Sequence, residues 1–279
     1  MTIQSSFKAA VVAATALATG IATAAEGEAP AVSSASPHTI GAAKLIIGDV
    51  AQNQQFYEQM LGMKEVAHYS AEGVYDEPIM GFEAGARLAL FSPKAEAPIK
   101  KSQFPVVLIY VPDFDAVTKR IADAKHPIVH LPPAQSGPFR IAIARDPSGN
   151  AVEILARPNQ PAAVGGSKLI VNDRQKAEDF YARVFGVKPI QRYKAPAYDE
   201  VLMGFGSEAW LALFEPKGEA PLPKSRFPVV AIYTPEFDQV LERVKAEGLG
   251  FRNVKTSNPA MRIIVAQDPS GNAVEVISR

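Results

Sequence analysis

The chain contains no cysteine, and this absence excludes several kinds of site at once. Disulfides, thiolate metal centres and thiol nucleophiles all require a cysteine sulfur. Acidic and basic residues balance at a formal net charge of zero, so charge gives no reason to expect nucleic acid as a partner. The sequence also lacks a nucleophile elbow, a phosphate loop, a dinucleotide fingerprint and a zinc-protease helix.

The N-terminus has the pattern of an export signal. Lys8 precedes an alanine-rich apolar run, and Ala22-Thr23-Ala24 has the small-x-small form of a signal-peptidase site, with cleavage near Ala25. We therefore predict a signal peptide over residues 1–25 and a flexible lead-in over residues 26–39. A retained anchor is the alternative, but the run is short for a bilayer span. A cleaved signal implies a periplasmic or secreted protein with no membrane contact after cleavage.

The remainder of the chain repeats itself with nearly constant spacing. Three motifs carry the repeat, Lys44–Ile46 with Lys168–Ile170, Tyr75–Glu77 with Tyr198–Glu200, and Asp146–Glu153 with Asp268–Glu275. A period this long indicates duplicated domains rather than a solenoid. We predict one domain at residues 40–157, a linker at 158–166 and a second domain at 167–279.

Each copy alternates β-type segments with helical ones. In the first copy, Asp49 is a predicted N-cap for a helix from Val50 to Leu61, and Gly62 ends it. Strand-like segments follow, and the order then restarts with a strand and a helix from about Phe114 to Lys125. The pattern predicts an α+β fold in which the unit β-α-β-β-β occurs four times.

These motifs resemble the vicinal oxygen chelate superfamily of glyoxalases, bleomycin-resistance proteins and extradiol dioxygenases. The resemblance rests on a strand ending in Asp49, a helix with Phe56-Tyr57 and Leu61-Gly62, and the Asp-Pro-Ser-Gly-Asn turn, and it covers about residues 40 to 279. It implies tandem domains, each made of two βαβββ modules that form a cup-shaped sheet. It implies less about the reaction, because one fold serves many chemistries.

The sequence departs from this family at the metal ligands. Metal-dependent members carry His or Gln on the first strand, Glu on the fourth, His on the fifth and Glu on the eighth. Carried onto this chain, those positions are Ala42, Ala89, Val106 and Glu153 in the first copy, and Gly166, Ala212, Val229 and Glu275 in the second. One carboxylate among alkyl side chains cannot hold a divalent ion. We therefore predict no metal and no other cofactor.

The four histidines do not replace the missing ligands. The four are His38, His68, His126 and His130. None of them has a histidine at the equivalent position of the second copy. This favours surface or strand-end histidines, although a site confined to the first copy is left open.

Without a metal, Glu153 and Glu275 each need a compensating group or must be neutral if they face the cup. Lys44 and Lys168 lie two residues beyond the missing first ligand, on the same face of the strand. We hypothesise that Lys44 serves Glu153 and Lys168 serves Glu275, as catalytic or ligand-binding groups. Arg140 and Arg262 are alternative cations for the same carboxylates. A structural ion pair, or a lysine that reaches solvent, explains the same pattern.

Four tyrosines and two further glutamates complete the candidate ligand contacts. Strand alternation puts the tyrosine and glutamate of the Tyr-Asp-Glu motif on one face and the aspartate on the other. That face is either the mouth of the cup or a polar outer surface. Tyrosines facing the cup suit an aromatic or apolar ligand. The residues are Tyr75, Glu77, Tyr110, Tyr198, Glu200 and Tyr233, and the unrepeated Trp210 can make the two pockets differ.

Three functions follow from these observations. The first is a binding module that captures a small organic molecule in metal-free cups, as bleomycin-resistance proteins do. The second is a glyoxalase-type lyase or isomerase, or a ring-cleaving dioxygenase, including a metal-independent version that uses the Glu and Lys groups for acid-base chemistry. The third is a structural or interaction role, in which tandem domains imitate the dimers common in the family, with a homo-oligomer left open.

Overall fold

A computed structural model describes residues 37–94, 101–132, 139–206, 209–218, 224, 226–256 and 258–279. The predicted signal peptide and most of the lead-in lie outside these residues. Within them, four βαβββ modules follow one another along the chain, as the α+β prediction requires. No helix among the described residues combines the length and apolarity that a bilayer crossing needs.

The first sequence copy holds modules 1 and 2. Module 1 consists of β1 Thr39–Ile46, α1 Val50–Leu61, β2 Lys64–Ala71, β3 Tyr75–Gly81 and β4 Arg87–Pro93. Module 2 consists of β5 Val107–Val111, α2 Phe114–Asp123, β6 Ile128–His130, β7 Ile141–Arg145 and β8 Ala151–Ala156.

The second sequence copy holds modules 3 and 4. Module 3 consists of β9 Ala163–Ile170, α3 Arg174–Phe185, β10 Lys188–Ala195, β11 Tyr198–Gly204 and β12 Trp210–Pro216. Module 4 consists of β13 Val230–Thr234, α4 Phe237–Ala246, β14 Phe251–Val254, β15 Ile263–Gln267 and β16 Ala273–Ser278. Strand β9 begins inside the segment 158–166, which the sequence had suggested as a linker, and its residues are buried.

Local signals set the helix ends. The carboxylate of Asp49 accepts a hydrogen bond from the Gln52 backbone N–H, which caps α1. Gly62 then adopts the left-handed conformation at φ 73°, which a glycine takes without the steric cost of a Cβ. Asp173 caps α3 in the same way through the Lys176 N–H. The predicted cap and both ends of α1 are therefore confirmed.

The sheets pair modules from different sequence copies. The first sheet has the strand order β14-β15-β16-β13-β1-β4-β3-β2, so modules 4 and 1 build it. The second sheet has the order β10-β11-β12-β9-β5-β8-β7-β6, so modules 3 and 2 build it. The central contacts are antiparallel, β1 against β13 and β5 against β9. The sequence led us to expect both modules of one copy in one sheet, and the structure corrects that pairing.

The turn motif connects the two modules of each copy on the helical side. Tyr57 of α1 donates a hydrogen bond to the Asp146 carboxylate at 3.1 Å, and Tyr181 of α3 donates to Asp268 at 3.2 Å. Ser148 Oγ accepts from the Gly48 N–H at 2.9 Å. The motif is thus a structural joint, in agreement with its interpretation as a turn and not as a catalytic serine.

One hydrophobic core runs through both copies and packs the helices on the outer faces of the sheets. It includes side chains from all four helices, among them Phe56, Ile121, Phe180 and Val240. Two smaller apolar clusters lie on the opposite faces of the sheets, around Leu108 in the second sheet and Ala231 in the first. The concave faces are therefore partly apolar, and the charged residues described next lie among these side chains.

Candidate functional site

Each sheet carries one buried ion cluster on its concave face. In the first sheet, the Lys44 Nζ lies 2.7 Å from Glu77 Oε1 and 3.0 Å from Glu275 Oε2. In the second, the Lys168 Nζ lies 3.0 Å from Glu200 Oε1 and 3.2 Å from Glu153 Oε2. We call these groups of three residues the Lys44 cluster and the Lys168 cluster.

Strand register explains why these three side chains meet. Lys44 on β1 lies beside Ala89 on the parallel neighbour β4, and the small alanine leaves room for the lysine stem. On the other side β1 pairs with β13, whose Ala231 is the register partner of Glu275 on β16. The Lys44 side chain therefore reaches Glu77 across β4 and Glu275 across β13. Ala89 on β4 and Ala231 on β13 are small enough not to block these contacts.

The structure corrects the predicted partners of the carboxylates. Lys44 contacts Glu275 and not Glu153, while Lys168 contacts Glu153 and not Glu275. The reason is the pairing of modules across the copies, which puts β1 and β16 in one sheet. The lysines and glutamates do form ion pairs with one another, but each pair is formed between the copies.

The two arginines proposed as alternative cations lie elsewhere. Arg140 pairs with Asp115, and Arg262 pairs with Asp238 at 2.6 Å. Each guanidinium also stacks on a helix phenylalanine, and all four charged side chains are largely exposed. Arg140 and Arg262 therefore do not serve Glu153 and Glu275.

Glu77 and Glu200 belong to the clusters and not to a polar outer surface. Alternation along β3 turns Glu77 inward and Asp76 outward, where Asp76 contacts His68 at 2.5 Å. Burial raises the pKa of Glu77 and of Glu200, and the lysine charge beside each only partly offsets this effect. The carboxylates raise the pKa of Lys44 and Lys168 against the opposing effect of burial, so both ammonium groups stay protonated.

Aromatic rings form the walls beside each cluster. Tyr75 stacks on Phe91 with ring centroids 5.5 Å apart, and the Lys44 Nζ lies 5.7 Å from the Phe91 centroid. In the second sheet, Tyr198 stacks on Phe214 with the same spacing, and the Lys168 Nζ lies 5.3 Å from that ring. In each sheet the lysine ammonium therefore lies close to the phenylalanine ring, within the range of a cation–π contact.

The second cup is more completely filled than the first. Leu108 and Trp210 pack together there, and the Trp210 Nε1 donates to the Tyr110 hydroxyl at 3.2 Å. The equivalent positions in the first sheet are Ala231 and Arg87, and Arg87 turns away to donate to the Phe82 carbonyl at 2.8 Å. Trp210, which has no counterpart in the repeat, thus distinguishes the two pockets as the sequence suggested.

The exposed fractions of the cluster residues differ in the same direction, although all six side chains are buried. Lys44, Glu77 and Glu275 retain 7%, 8% and 8% of their surface, and Lys168, Glu153 and Glu200 retain 5%, 1% and 2%. Tyr233 lies over Gly41 in the first cup, where a Cβ at position 41 would overlap the Tyr233 ring at 2.0 Å. Burial, reinforced by the charge of Glu275, raises the pKa of Tyr233. The Lys44 cluster is therefore slightly more exposed than the Lys168 cluster, mainly at its two carboxylates.

The histidines take no part in either cluster. His38 is buried and shares a hydrogen bond of 2.8 Å with Thr234 Oγ1, although the sequence put it in the flexible lead-in. His126 packs edge-on against Phe56, and His130 against Phe114.

The folded chain consists of two curled eight-stranded sheets built from four βαβββ modules, with one charged cluster in each cup. This architecture defines a tandem glyoxalase-like protein. The model of the Glyoxalase/Bleomycin resistance protein/Dioxygenase superfamily matches residues 38–154 and 162–276, and the chain belongs to this superfamily.

Individual relatives are distant. A protein of Brassica oleracea var. gemmifera named "Putative lactoylglutathione lyase" is 23% identical over 171 residues, which is 58% of this chain and 60% of that protein. Glyoxalase I from Zea mays superposes with a TM-score of 0.73 at 21% identity, over 86% of this chain and 92% of that one. A dioxygenase-like protein of Bacillus subtilis subsp. subtilis str. 168 gives a TM-score of 0.66 at 16% identity, over 88% and 86%. The structural similarities establish the fold alone.

The side chains do not fit the metal that the superfamily resemblance implies. In the first cup, three of the four ligand positions hold Ala42, Ala89 and Val229, and the Lys44 ammonium lies against the remaining carboxylate of Glu275. The described residues contain no group of three or more His, Cys, Asp or Glu side chains arranged to hold a metal ion. A divalent cation would have to displace a protonated lysine and would find too few donors.

Proposed function

We propose that the protein binds a small organic molecule in the cup of the first sheet, in contact with the Lys44 cluster. The observation that carries this proposal is a buried ion cluster on a concave face, with a small residual exposure and with an aromatic wall formed by Tyr75 and Phe91. Such a combination of apolar walls with a few convergent polar groups is typical of ligand sites. The filled cup of the second sheet is then a structural counterpart.

The charge of the cluster selects the ligand. Two carboxylates around one ammonium leave a net negative charge when all three are ionised, so an anionic ligand is disfavoured. Glu77 Oε1 contacts the Lys44 ammonium at 2.7 Å. Each carboxylate oxygen can accept more than one hydrogen bond, so a ligand hydroxyl or amine can also donate to Glu77. The ligand class is therefore a neutral or cationic aromatic molecule with a hydrogen-bond donor.

A thermal-shift screen tests this proposal with phenols and arylamines against aryl carboxylates of matched size. A molecule that binds only the folded state raises the unfolding temperature with its concentration. We expect stabilisation by phenols or arylamines and none by the carboxylates. Lys44→Met and Glu275→Gln should remove the effect, because each breaks the cluster that contacts the ligand.

The second cup provides the matched control. Lys168→Met and Glu153→Gln make the same chemical changes in the equivalent cluster and should leave the ligand-induced shift intact. Equal loss of the shift in both sets of variants, or no loss in the Lys44 and Glu275 variants, would contradict the assignment of the site.

A second candidate is a metal-independent lyase or isomerase of the glyoxalase type. The raised pKa of Glu77 favours it, because a carboxyl group that titrates closer to neutrality exchanges protons efficiently. Glu77 would accept a proton from a carbon next to a carbonyl and return it to the neighbouring carbon. The protonated Lys44 would stabilise the negative charge that develops on the oxygen, and it cannot act as an amine nucleophile. Ring cleavage by a dioxygenase needs metal ligands that the cup does not provide.

Turnover of hemithioacetals formed from methylglyoxal and thiols, assayed with and without a chelator, separates the two candidates. A metal-independent enzyme keeps its rate in the chelator and loses it in Glu77→Gln, whereas Glu200→Gln retains it. A rate abolished by the chelator, with a stoichiometric metal in the purified protein, would contradict both candidates.

We further propose that the protein acts after export, on the basis of the N-terminal pattern around Ala22-Thr23-Ala24. Cell fractionation and N-terminal sequencing of the mature chain test this proposal. We expect a mature chain that begins near Ala25, and a cytoplasmic chain that retains Met1 or Thr2 would contradict it.

A further inference from the structure

Two tyrosines, Tyr69 and Tyr233, lie on the concave face of the first sheet, on either side of the strand that carries Lys44. Tyr69 on β2 is the register partner of Glu77, so its side chain lies on the same face as the Lys44 cluster. Tyr233 on β13 packs against the apolar cluster around Ala231 on that face. Strand β1, which carries Lys44, lies between β2 and β13 in the sheet. We call Tyr69 and Tyr233 the mouth tyrosines.

The curl of the sheet brings the mouth tyrosines towards each other. The order β13-β1-β4-β3-β2 puts four strand spacings between them, which would be about 19 Å in a flat sheet. Burial raises the pKa of Tyr233, and Tyr69 is among the ionisable neighbours that add to this effect. Burial likewise raises the pKa of Tyr193 in the second cup, with Tyr110 among its neighbours. Because such effects weaken with distance, each cup holds two tyrosines that approach across its opening.

The hydroxyls of the mouth tyrosines are available, whereas the second cup differs. There, the Trp210 Nε1 donates to the Tyr110 hydroxyl at 3.2 Å. Arg87 takes the position of Trp210 in the first sheet and turns away from the cup. Within the part of the chain that the structure describes, neither Tyr69 nor Tyr233 uses its hydroxyl in a hydrogen bond. Each hydroxyl can therefore donate to a ligand.

The exposed fractions of the aromatic side chains show that the first cup is the more open one at its mouth. Tyr69 is 48% exposed, while the equivalent Tyr193 is half-buried and packs against Tyr198 and Phe214. Tyr198 and Phe214 each retain 1% of their surface, and their counterparts in the wall of the first cup are half-buried. The same residue types thus form a closed mouth in the second cup and leave room for a ligand in the first.

The two ends of the first cup offer complementary hydrogen-bonding groups. At the floor, the ionised carboxylates of Glu77 and Glu275 can only accept, and the Lys44 ammonium is held between them. At the mouth, the tyrosine hydroxyls can donate. A ring that donates to the floor therefore presents its opposite end to two donors.

We propose that Tyr69 and Tyr233 determine the specificity of the first cup by donating hydrogen bonds to an acceptor on the far end of the ligand. This extends the proposed function, on which it rests, because the ligand class narrows to an aromatic amine or phenol with a carbonyl group on the opposite side of the ring. The tyrosine rings provide apolar contact area beside that carbonyl.

Calorimetric titration with para-aminoacetophenone and para-isopropylaniline tests the proposal. The two molecules have nearly the same shape, and both amines are uncharged at neutral pH, but only the acetyl group has an acceptor oxygen. We expect the wild-type protein to bind the acetyl compound about fivefold or more tightly, which corresponds to one neutral hydrogen bond.

Variants of the mouth tyrosines separate specificity from structure. Tyr69→Phe and Tyr233→Phe keep the rings and should each weaken binding of the acetyl compound about threefold to fivefold. The double variant should bring the ratio of the two dissociation constants to about one. A merely structural role would weaken both compounds alike and leave the ratio as in the wild type. Tyr110→Phe and Tyr193→Phe are the matched controls in the second cup and should keep the wild-type ratio.

The outcomes distinguish this proposal from the proposed function. Suppose that the wild type binds both compounds and Lys44→Met binds neither. A wild-type ratio near one, or a preference for the acetyl compound that survives in the double variant, would then overturn the role of Tyr69 and Tyr233 alone. If the wild-type protein binds neither compound, the proposed ligand class itself is wrong, and the mouth tyrosines have no such ligand to select.

Discussion

At the scale of single residues, the two ion clusters show how a lysine can stay charged on a mostly apolar concave face. Lys44 and Lys168 remain charged because two carboxylates surround each of them. Removing one member of a buried ion pair costs about 3 to 5 kcal/mol, since it leaves a charge without compensation. The clusters therefore stabilise the fold only as complete units, and they are available to a ligand only where they keep some exposure.

The raised pKa of Glu77 gives a pH dependence whose sign can be stated. An unfolded glutamate titrates near pH 4.3, and burial raises the pKa of Glu77 above that value in the folded protein. Between the two values the folded state binds more protons than the unfolded state, so the free energy of unfolding falls as the pH rises. Glutamine at position 77 does not titrate and removes this contribution.

We expect Glu77→Gln to gain stability relative to the wild type as the pH rises from about 4 through the raised pKa. Urea unfolding at several pH values measures this difference. Glu242→Gln is the matched control, because Glu242 is exposed and pairs with Lys245 at the surface. A wild-type minus variant difference that stays constant with pH, or that has the opposite slope, would contradict the position of Glu77 in the cluster.

At the scale of elements, the sequence determined most of the fold because the signals are local. The cap at Asp49, the left-handed Gly62 and the alternation in β3 each depend on a few neighbouring residues. Sequence reasoning therefore gave the four modules and the residues of the clusters. For Glu77 it left two alternatives, the cup or a polar outer surface. The position of β3 in the sheet decides for the cup.

The repeat allows a comparison of two helix starts within one protein. Asp113 caps α2 by accepting from the Ala116 N–H, whereas Glu236 at the equivalent position makes no side-chain cap bond to α4. Its longer side chain instead reaches His38 at 3.4 Å, a partly exposed contact that contributes little.

Glu236→Asp should therefore stabilise the protein by about 0.5 to 1 kcal/mol, because aspartate can accept from the first turn of α4. Urea unfolding measures the change, and Asp113→Ala should show the reverse effect, a loss of about 1 kcal/mol at the other helix. A destabilised Glu236→Asp would mean that the contact with His38 outweighs the cap.

At the scale of the whole molecule, the sequence could not decide which modules share a sheet. The strands that begin the modules are so similar in the two copies that pairing of β1 with β5 and pairing of β1 with β13 look equivalent to any local pattern. The structure selects β13, while the bonds from Tyr57 to Asp146 and from Tyr181 to Asp268 keep the modules of one copy together through the helices and turns. The partner of each lysine followed from this pairing and could not be known without it.

The same pairing predicts how separated halves behave. A fragment of residues 37–161 keeps the joint between Tyr57 and Asp146 but exposes the edges of β1 and β5, which pair with β13 and β9 in the full chain. Unpaired edge strands associate with other strands. We therefore expect this fragment to form a dimer in which β1 of one copy pairs with β5 of the other, as light scattering after size exclusion would show.

Mixing it with residues 162–279 should convert the dimer into a one-to-one complex, because the native pairs then become available. A fragment that stays folded and monomeric at high concentration would mean that this half closes its own sheet, which would contradict the pairing of modules across the copies.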